Sequence, residues 1–290
     1  MKRCSSLCNN YCTYCCKSKK STYLQVDNES FKKSPYNQIK LIEYTEISDI
    51  YLSEKNNKPV IIKNIDKTKR IYNKNIIKEQ IQNEYSILST TNHINIIKMI
   101  DYVELPTCTE FILEYCKYGD LFTFVNSIDN NFEESKIIKI MKQIINGLHY
   151  LHHHNISHRD LSLENILIYS LEPLHLKICD FGRSTTDHSH HLSLDSGKTQ
   201  YLSPEFFLKN QYKSMDIWSL GIILYLLIYK EYFYDGSDYE IKYQIKNKKI
   251  IKFDDNNYST ELNDILKKLL DFDPETRITS EKLFNHTLFQ

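Results

Sequence analysis

Three polar residues in the middle of the chain have the types and spacing to do chemistry on a phosphate. Asp160 and Asn165 stand in one segment, His158-Arg159-Asp160-Leu161-Ser162-Leu163-Glu164-Asn165, and Asp180 follows in Ile178-Cys179-Asp180-Phe181-Gly182. Placed in a loop, the first pair can aim a carboxylate at an acceptor hydroxyl and an amide at a metal ion. Asp180 adds a second oxygen ligand after a short strand. Mg²⁺ suits such a sparse set, because it keeps several of its waters. Phosphoryl transfer asks mainly for positioning and for neutralisation of several negative charges, so a few cations and carboxylates suffice.

Those residues need elements to hold them. From Ile39 to Ile65 the β-branched residues come in two runs broken by Glu54-Lys55-Asn56-Asn57-Lys58, the pattern of two antiparallel strands and a turn. Ile77, Ile81, Glu84, Tyr85 and Leu88 recur at helical spacing, and apolar runs at 94–103 and 109–115 read as strands. After Gly119 the pattern turns helical, with long periodic segments at 135–153, 215–229 and 259–270. The expected fold is α+β: a small β-rich lobe with one helix over about 36–113, a link at about 114–119, and a larger helical lobe over about 120–290. A cleft at such a junction is a common ligand site.

Composition bounds the rest. Lys plus Arg and Asp plus Glu number 37 each, so no global field argues for nucleic acid. Gly and Pro number only 6 each, against low complexity. The longest apolar run, 220–229, is far short of the roughly 20 residues that span a bilayer. No secretory apolar region follows Met1, so a cytoplasmic, reducing compartment is the default.

The residues resemble, in order and over roughly 36–290, a eukaryotic-type protein kinase. His158-Arg159-Asp160 through Asn165 is similar to the family's catalytic loop, Asp180-Phe181-Gly182 to its metal motif, Ser203-Pro204-Glu205 to its Ala-Pro-Glu motif, and Asp216-Ile217-Trp218-Ser219-Leu220-Gly221 to its buried helix. Arg277 matches the arginine that pairs with Glu205; Trp218, Asp216 and Arg277 are structural even in the family. The resemblance implies ATP and Mg²⁺ as cofactors, with Asn165 and Asp180 on the metal and Asp160 at the acceptor. Lys63 would hold the α- and β-phosphates, with Glu84 as its partner. Glu114-Tyr115-Cys116 would be the adenine-binding link, Leu113 the gatekeeper and Asp120 the ribose contact. Glu43, Ile50, Ile61 and Leu167 complete the expected nucleotide site. Leu88, Met99, His158 and Phe181 would stack as a hydrophobic spine.

Two departures stand out. Glu43, Thr45 and Ser48 fill the three glycine positions of the family's phosphate loop, and side chains there oppose close backbone approach to phosphate. A nucleotide-weak pseudokinase, acting as scaffold or switch, is the rival reading. Ser162 stands where serine/threonine members carry a lysine on the transferred phosphate, and Lys198 stands where they carry a threonine. We read this as an exchange in which Ser162 supplies the hydroxyl and Lys198 the charge beside Asp160; the alternative is an exposed lysine and a neutral loss.

Arg159 directly precedes Asp160, as in members whose activation loop is ordered by a phosphate, and Ser193 and Ser196 are the favoured acceptors in that loop. His188, His190 and His191 read as part of a solvated polar loop. Leu161-Ser162-Leu163-Glu164 lacks the combinations of tyrosine-specific members, so protein serine or threonine is the expected acceptor. Asp120 and Glu164 match positions that read basic side chains in some members, implying a basic substrate motif. A monomer is expected. Residues 1–35 read as a mobile tail, in which Cys4, Cys8, Cys12, Cys15 and Cys16 precede Lys17, Lys19 and Lys20. That order suits palmitoylation with basic support and so membrane association; an unmodified tail and a zinc site are the alternatives.

Overall fold

The computed structural model describes residues 34–45, 48–68, 74–186, 198–208, 212–247 and 257–290, which belong to one compact unit, Ser34–Gln290. Its first part is a five-stranded antiparallel sheet: β1 (Lys40–Tyr44), β2 (Ser48–Lys55), β3 (Lys58–Asp66), β4 (Met99–Glu104) and β5 (Cys108–Glu114), in the order β1-β2-β3-β5-β4. Helix α1 (Lys74–Thr90) lies between β3 and β4 in the chain. The expected turn at 54–58 is there, with Asn56 and Asn57 at φ 52° and 59°, a left-handed pair that Asn tolerates in tight hairpins. The run read as one strand at its start is in fact two, because a second hairpin folds β1 onto β2 through Thr45 and Ser48. Ile94 to Lys98 do not join β4; Ile96 instead bridges to Ile178.

Alternation along β3 sets the site. Val60 and Ile62 face one side of the sheet, where they pack with Tyr36 and Ile112. Ile61 and Lys63 therefore face the other side.

The second part holds α2 (Leu121–Asn126), α3 (Glu134–His153), the hairpin β6 (Ile166–Leu171) and β7 (Leu174–Ile178), then α4 (Tyr212–Tyr229), α5 (Asp238–Lys246), α6 (Thr260–Leu269) and α7 (Ser280–Phe284). Helix α3 buries Ile137, Ile140, Met141, Ile144, Ile145, Leu148 and Leu151 as one stripe, the spacing that marks it in the sequence. Helix α4 is apolar all round and runs through the core, with Trp218, Leu220, Ile223 and Leu224 fully covered. At Gly221 a Cβ would meet Leu270 at 2.7 Å, so glycine is what lets α4 approach the end of α6. The sequence reading missed the short helices. Helix α5 announces itself by a capping box, Ser237 with Glu240, and α2 by Asp120 at its N-cap. No helix among the described residues is long and apolar enough to cross a membrane.

Arg277 ties this part together. Its Nη1 and Nη2 donate to the two oxygens of Glu205, the second at 3.0 Å, Nη1 also to Ser214 O at 2.8 Å, and Nε to Asp271 O at 2.8 Å. The guanidinium lies over the Trp218 ring, 5.1 Å from its centre. Both partners are buried, so removing one strands the other's charge. Arg277→Met is expected to lower unfolding free energy by about 3–5 kcal/mol in urea denaturation. The double variant Arg277→Met/Glu205→Leu is expected to recover a large part of that loss.

Candidate active site

Lys63 sits where β3, α1 and the segment after β7 meet. Its Nζ donates to Glu84 Oε1 at 2.7 Å and Oε2 at 3.0 Å, and to Asp180 Oδ1 at 2.8 Å. Glu84 is 2% exposed, whereas Asp180 keeps 45% of its side chain open. Burial opposes the Lys63 charge, but the carboxylates of Asp180 and Glu84 outweigh it and hold the ammonium well above the usual lysine range. Lys63 in turn holds the Asp180 carboxyl well below its ordinary value. The pairing predicted for Lys63 and Glu84 is therefore made, with Asp180 as a third member.

The loop carrying Asp160 hangs from α4. Asp216 accepts hydrogen bonds from His158 N at 2.8 Å and Arg159 N at 2.7 Å, and its Oδ2 lies 2.9 Å from His152 Nε2. Arg159 has φ 66° and Asp180 φ 65°, conformations costly for residues with a Cβ. The two carboxylate bonds from Asp216 hold the first of these in place. Asn165 Nδ2 donates to Asp160 O at 2.7 Å, which leaves its amide oxygen as the end available to a metal ion. His158 Nε2 meets Cys179 O at 3.0 Å, and its ring lies 5.1 Å from that of Phe181. Of the expected spine, Phe181 and Leu88 are buried in one core with Met99 packed against it, and the His158–Phe181 contact is the one seen directly. Ser157 and Thr185 exchange backbone hydrogen bonds at 2.9 and 3.0 Å, which pins the segment after Gly182 to the loop. Burial raises the Asp160 carboxyl, opposed by Arg183 and Lys198.

Ser162 and Lys198 meet: Lys198 Nζ donates to Ser162 Oγ at 2.9 Å and pairs with Glu164 Oε2 at 3.2 Å. Tyr201 OH also donates to Glu164, at 3.4 Å. Arg183, which the sequence reading passed over, brings Nε to 3.7 Å from Asp160 Oδ2. Its signal was its position: a charge directly after Gly182 falls beside Asp160 once that loop is pinned.

Around the expected adenine site, Ile61 pairs with Leu113 across the sheet, and Ile50 with Lys63. Leu167 bridges to Asp120. Ile50, Ile61, Leu113 and Leu167 are each partly exposed, as the lining of an open pocket would be. The Cys116 thiol is buried and pushed up to about 12. Glu114 Oε1 takes Lys177 Nζ at 2.8 Å and Lys98 N at 2.7 Å, and its backbone N donates to Lys98 O at 3.0 Å. Asp120 spends both oxygens on Thr123, from N at 2.7 Å and Oγ1 at 3.0 Å. In place of a glycine loop, the Thr45 hydroxyl accepts from Ser48 N at 2.8 Å and donates to Ser48 O at 2.7 Å, while Glu43 is exposed opposite Ile50. Ser193, Ser196 and the five cysteines of the first sixteen residues lie outside the described residues.

The donor set fits Mg-ATP: a partly open carboxylate and an amide oxygen are hard ligands of the kind Mg²⁺ takes, beside a cation that phosphate oxygens can share. Residues 43–289 match the family model described as protein kinase domain. Serine/threonine-protein kinase ULK3 of Homo sapiens is 32% identical over 251 residues, covering 84% of this chain and 52% of the relative. Probable serine/threonine-protein kinase fhkE of Dictyostelium discoideum is 34% identical over 244 residues (79% and 34%), and serine/threonine-protein kinase SRK2J of Arabidopsis thaliana 36% over 191 residues (64% and 54%). The chain thus spans about half or less of the length of these curated relatives. Since that match spans residues 43–289, the chain belongs to the protein kinase domain family.

Proposed function

We propose that this chain transfers the γ-phosphoryl group of Mg-ATP to serine or threonine hydroxyls of protein substrates. The observation that carries the reading is Lys63 held within 2.8 Å of both Glu84 and Asp180. In that reading Lys63 would grip the α- and β-phosphates, and Asn165 and Asp180 would hold the metal. Bound Mg-ATP supplies the phosphoryl group and much of the neutralising charge. Asp160 would orient the acceptor hydroxyl and take its proton as the oxygen bonds to the γ-phosphorus, while the bond to the bridging oxygen breaks and ADP leaves. Lys198, fixed by Ser162, would place a cation beside Asp160 where the family's lysine is lost. Serine/threonine specificity draws support from the relatives, each named a serine/threonine-protein kinase.

The rival, a nucleotide-weak binding module, draws support from the Thr45–Ser48 closure. Transfer of labelled phosphate from ATP, with phosphoamino-acid analysis of the product, separates the two. Wild type is expected to yield phosphoserine or phosphothreonine. Asp160→Asn is expected to lose about 10²-fold or more, the size of one general-base contribution, and Lys198→Ala a similar factor as a lost transition-state donor. Lys198→Arg is expected to keep most of the rate. Equal signal from wild type and Asp160→Asn would end the catalytic reading; unchanged turnover in both Lys198 variants would end the exchange.

For localisation we infer a cytoplasmic protein held at a membrane by acylation of the cysteines among residues 4–16, with Lys17, Lys19 and Lys20 as the second signal. Labelled palmitate is expected to enter the chain and to be lost on replacing those cysteines by serine. Zinc binding without palmitate uptake would contradict it.

A further inference from the structure

The charges on the acceptor side of Asp160 have changed sign relative to what the sequence implied. Glu164, whose place suggested that basic substrate side chains are read, is already answered by Lys198 at 3.2 Å and by the Tyr201 hydroxyl at 3.4 Å. A substrate lysine arriving there would have to displace an internal cation. On the other flank of Asp160 stands Arg183, with Nε 3.7 Å from the carboxylate. Its Nη1 is covered from solvent and has no hydrogen-bond partner among the described residues. Buried donors in folded proteins are nearly all paired, so the guanidinium is short of acceptors where it lies, and a turn of the partly exposed side chain toward an anion would satisfy that nitrogen. Arg183 is 33% exposed and Lys198 35%, so both are partly desolvated yet reachable, and screened less than free surface lysines.

Geometry distinguishes the two cations. Lys198 is committed to Ser162 and Glu164, whereas Arg183 touches Asp160 through one loose contact, and a guanidinium, unlike an ammonium, can take a carboxylate or phosphate in two bonds.

We propose that the acceptor cleft selects hydroxyls flanked by acidic side chains, aspartate, glutamate or a residue already phosphorylated, with Arg183 as the reading residue and Lys198 cancelling the basic preference of Glu164. The proposal rests on the phosphoryl-transfer reading, but it concerns binding of the acceptor and is measured apart from turnover. Three peptides of equal length carry one serine flanked on both sides by aspartate, by alanine or by lysine. Their affinity for the full chain without nucleotide is read by fluorescence anisotropy, and their phosphorylation by labelled ATP.

The aspartate peptide is expected to bind about fivefold tighter than the alanine peptide and the lysine peptide about fivefold weaker, the upper range for a partly exposed ion pair. Arg183→Met is expected to bring the three affinities together, and Arg183→Lys to keep most of the difference. Lys198→Met, which frees Glu164, is expected to improve the lysine peptide alone. The proposal is overturned if the lysine peptide binds as well as the aspartate peptide, if no peptide binds, or if Arg183→Met weakens all three by one factor. Acidic preference in binding without any phosphorylation would sink the catalytic reading and leave this one standing. Phosphorylation without acidic preference would do the reverse.

Discussion

Lys63 carries a positive charge into a place that is mostly out of water, and two carboxylates within 2.8 Å make that tolerable. Each of the three comes from a different element: a strand, a helix, and the loop after the β6–β7 hairpin. Stranding any one of them would leave a charge uncompensated in low dielectric, a cost of several kcal/mol that exceeds most single contacts in a domain. The sheet, α1 and the helical part therefore have one mutually consistent placement. The alternation of β3 is what sends Lys63 to the α1 side rather than into the outer cluster of Val60 and Ile62. A one-residue slip in that strand would reverse it.

A second anchor works from below. Asp216, on a helix buried all round, spends its oxygens on the backbone of His158 and Arg159 and so holds a left-handed residue directly before Asp160. The helix can supply that carboxylate only because its core position is rigid, which Trp218, Gly221 and the Arg277–Glu205 pair secure. Strain at the loop is thus balanced by packing some distance away. The divergent parts lie elsewhere: at Thr45–Ser48, which closes its own turn instead of opening toward a phosphate, and at Ser162, Lys198 and Arg183, which redistribute charge on the acceptor side.

Much of this was readable beforehand. Asp160, Asn165 and Asp180 announce themselves by type and spacing, Lys63, Glu84, Asp216 and Arg277 through the resemblance to a protein kinase, and helices α3, α4 and α6 by long apolar periods. What stayed hidden depends on short elements or on tertiary approach. The β1–β2 hairpin was lost because residues 45 to 48 lack the glycine or asparagine that marks a tight turn, the closure being made by a side-chain hydroxyl. Helices of five or six residues carry too little period to see. The meeting of Lys198 with Ser162 follows from two departures from the family pattern, but its pairing with Glu164 does not, and Arg183 stands in none of the motifs that carry the resemblance. Asp120, expected at the ribose, also caps α2, each of its oxygens accepting one hydrogen bond from Thr123, a local demand that spacing alone did not show.

The central claim is that the Lys63–Glu84–Asp180 arrangement holds a metal-bound nucleotide in spite of the missing glycines. Calorimetric titration of ATP, with and without Mg²⁺, into wild type and Asp180→Asn tests it most directly. The account predicts that Mg²⁺ tightens ATP binding to wild type by about tenfold or more, from the ligand charge it adds at Asp180, and that Asp180→Asn loses that gain. Equal affinities under all four conditions, or no binding by wild type, would contradict it.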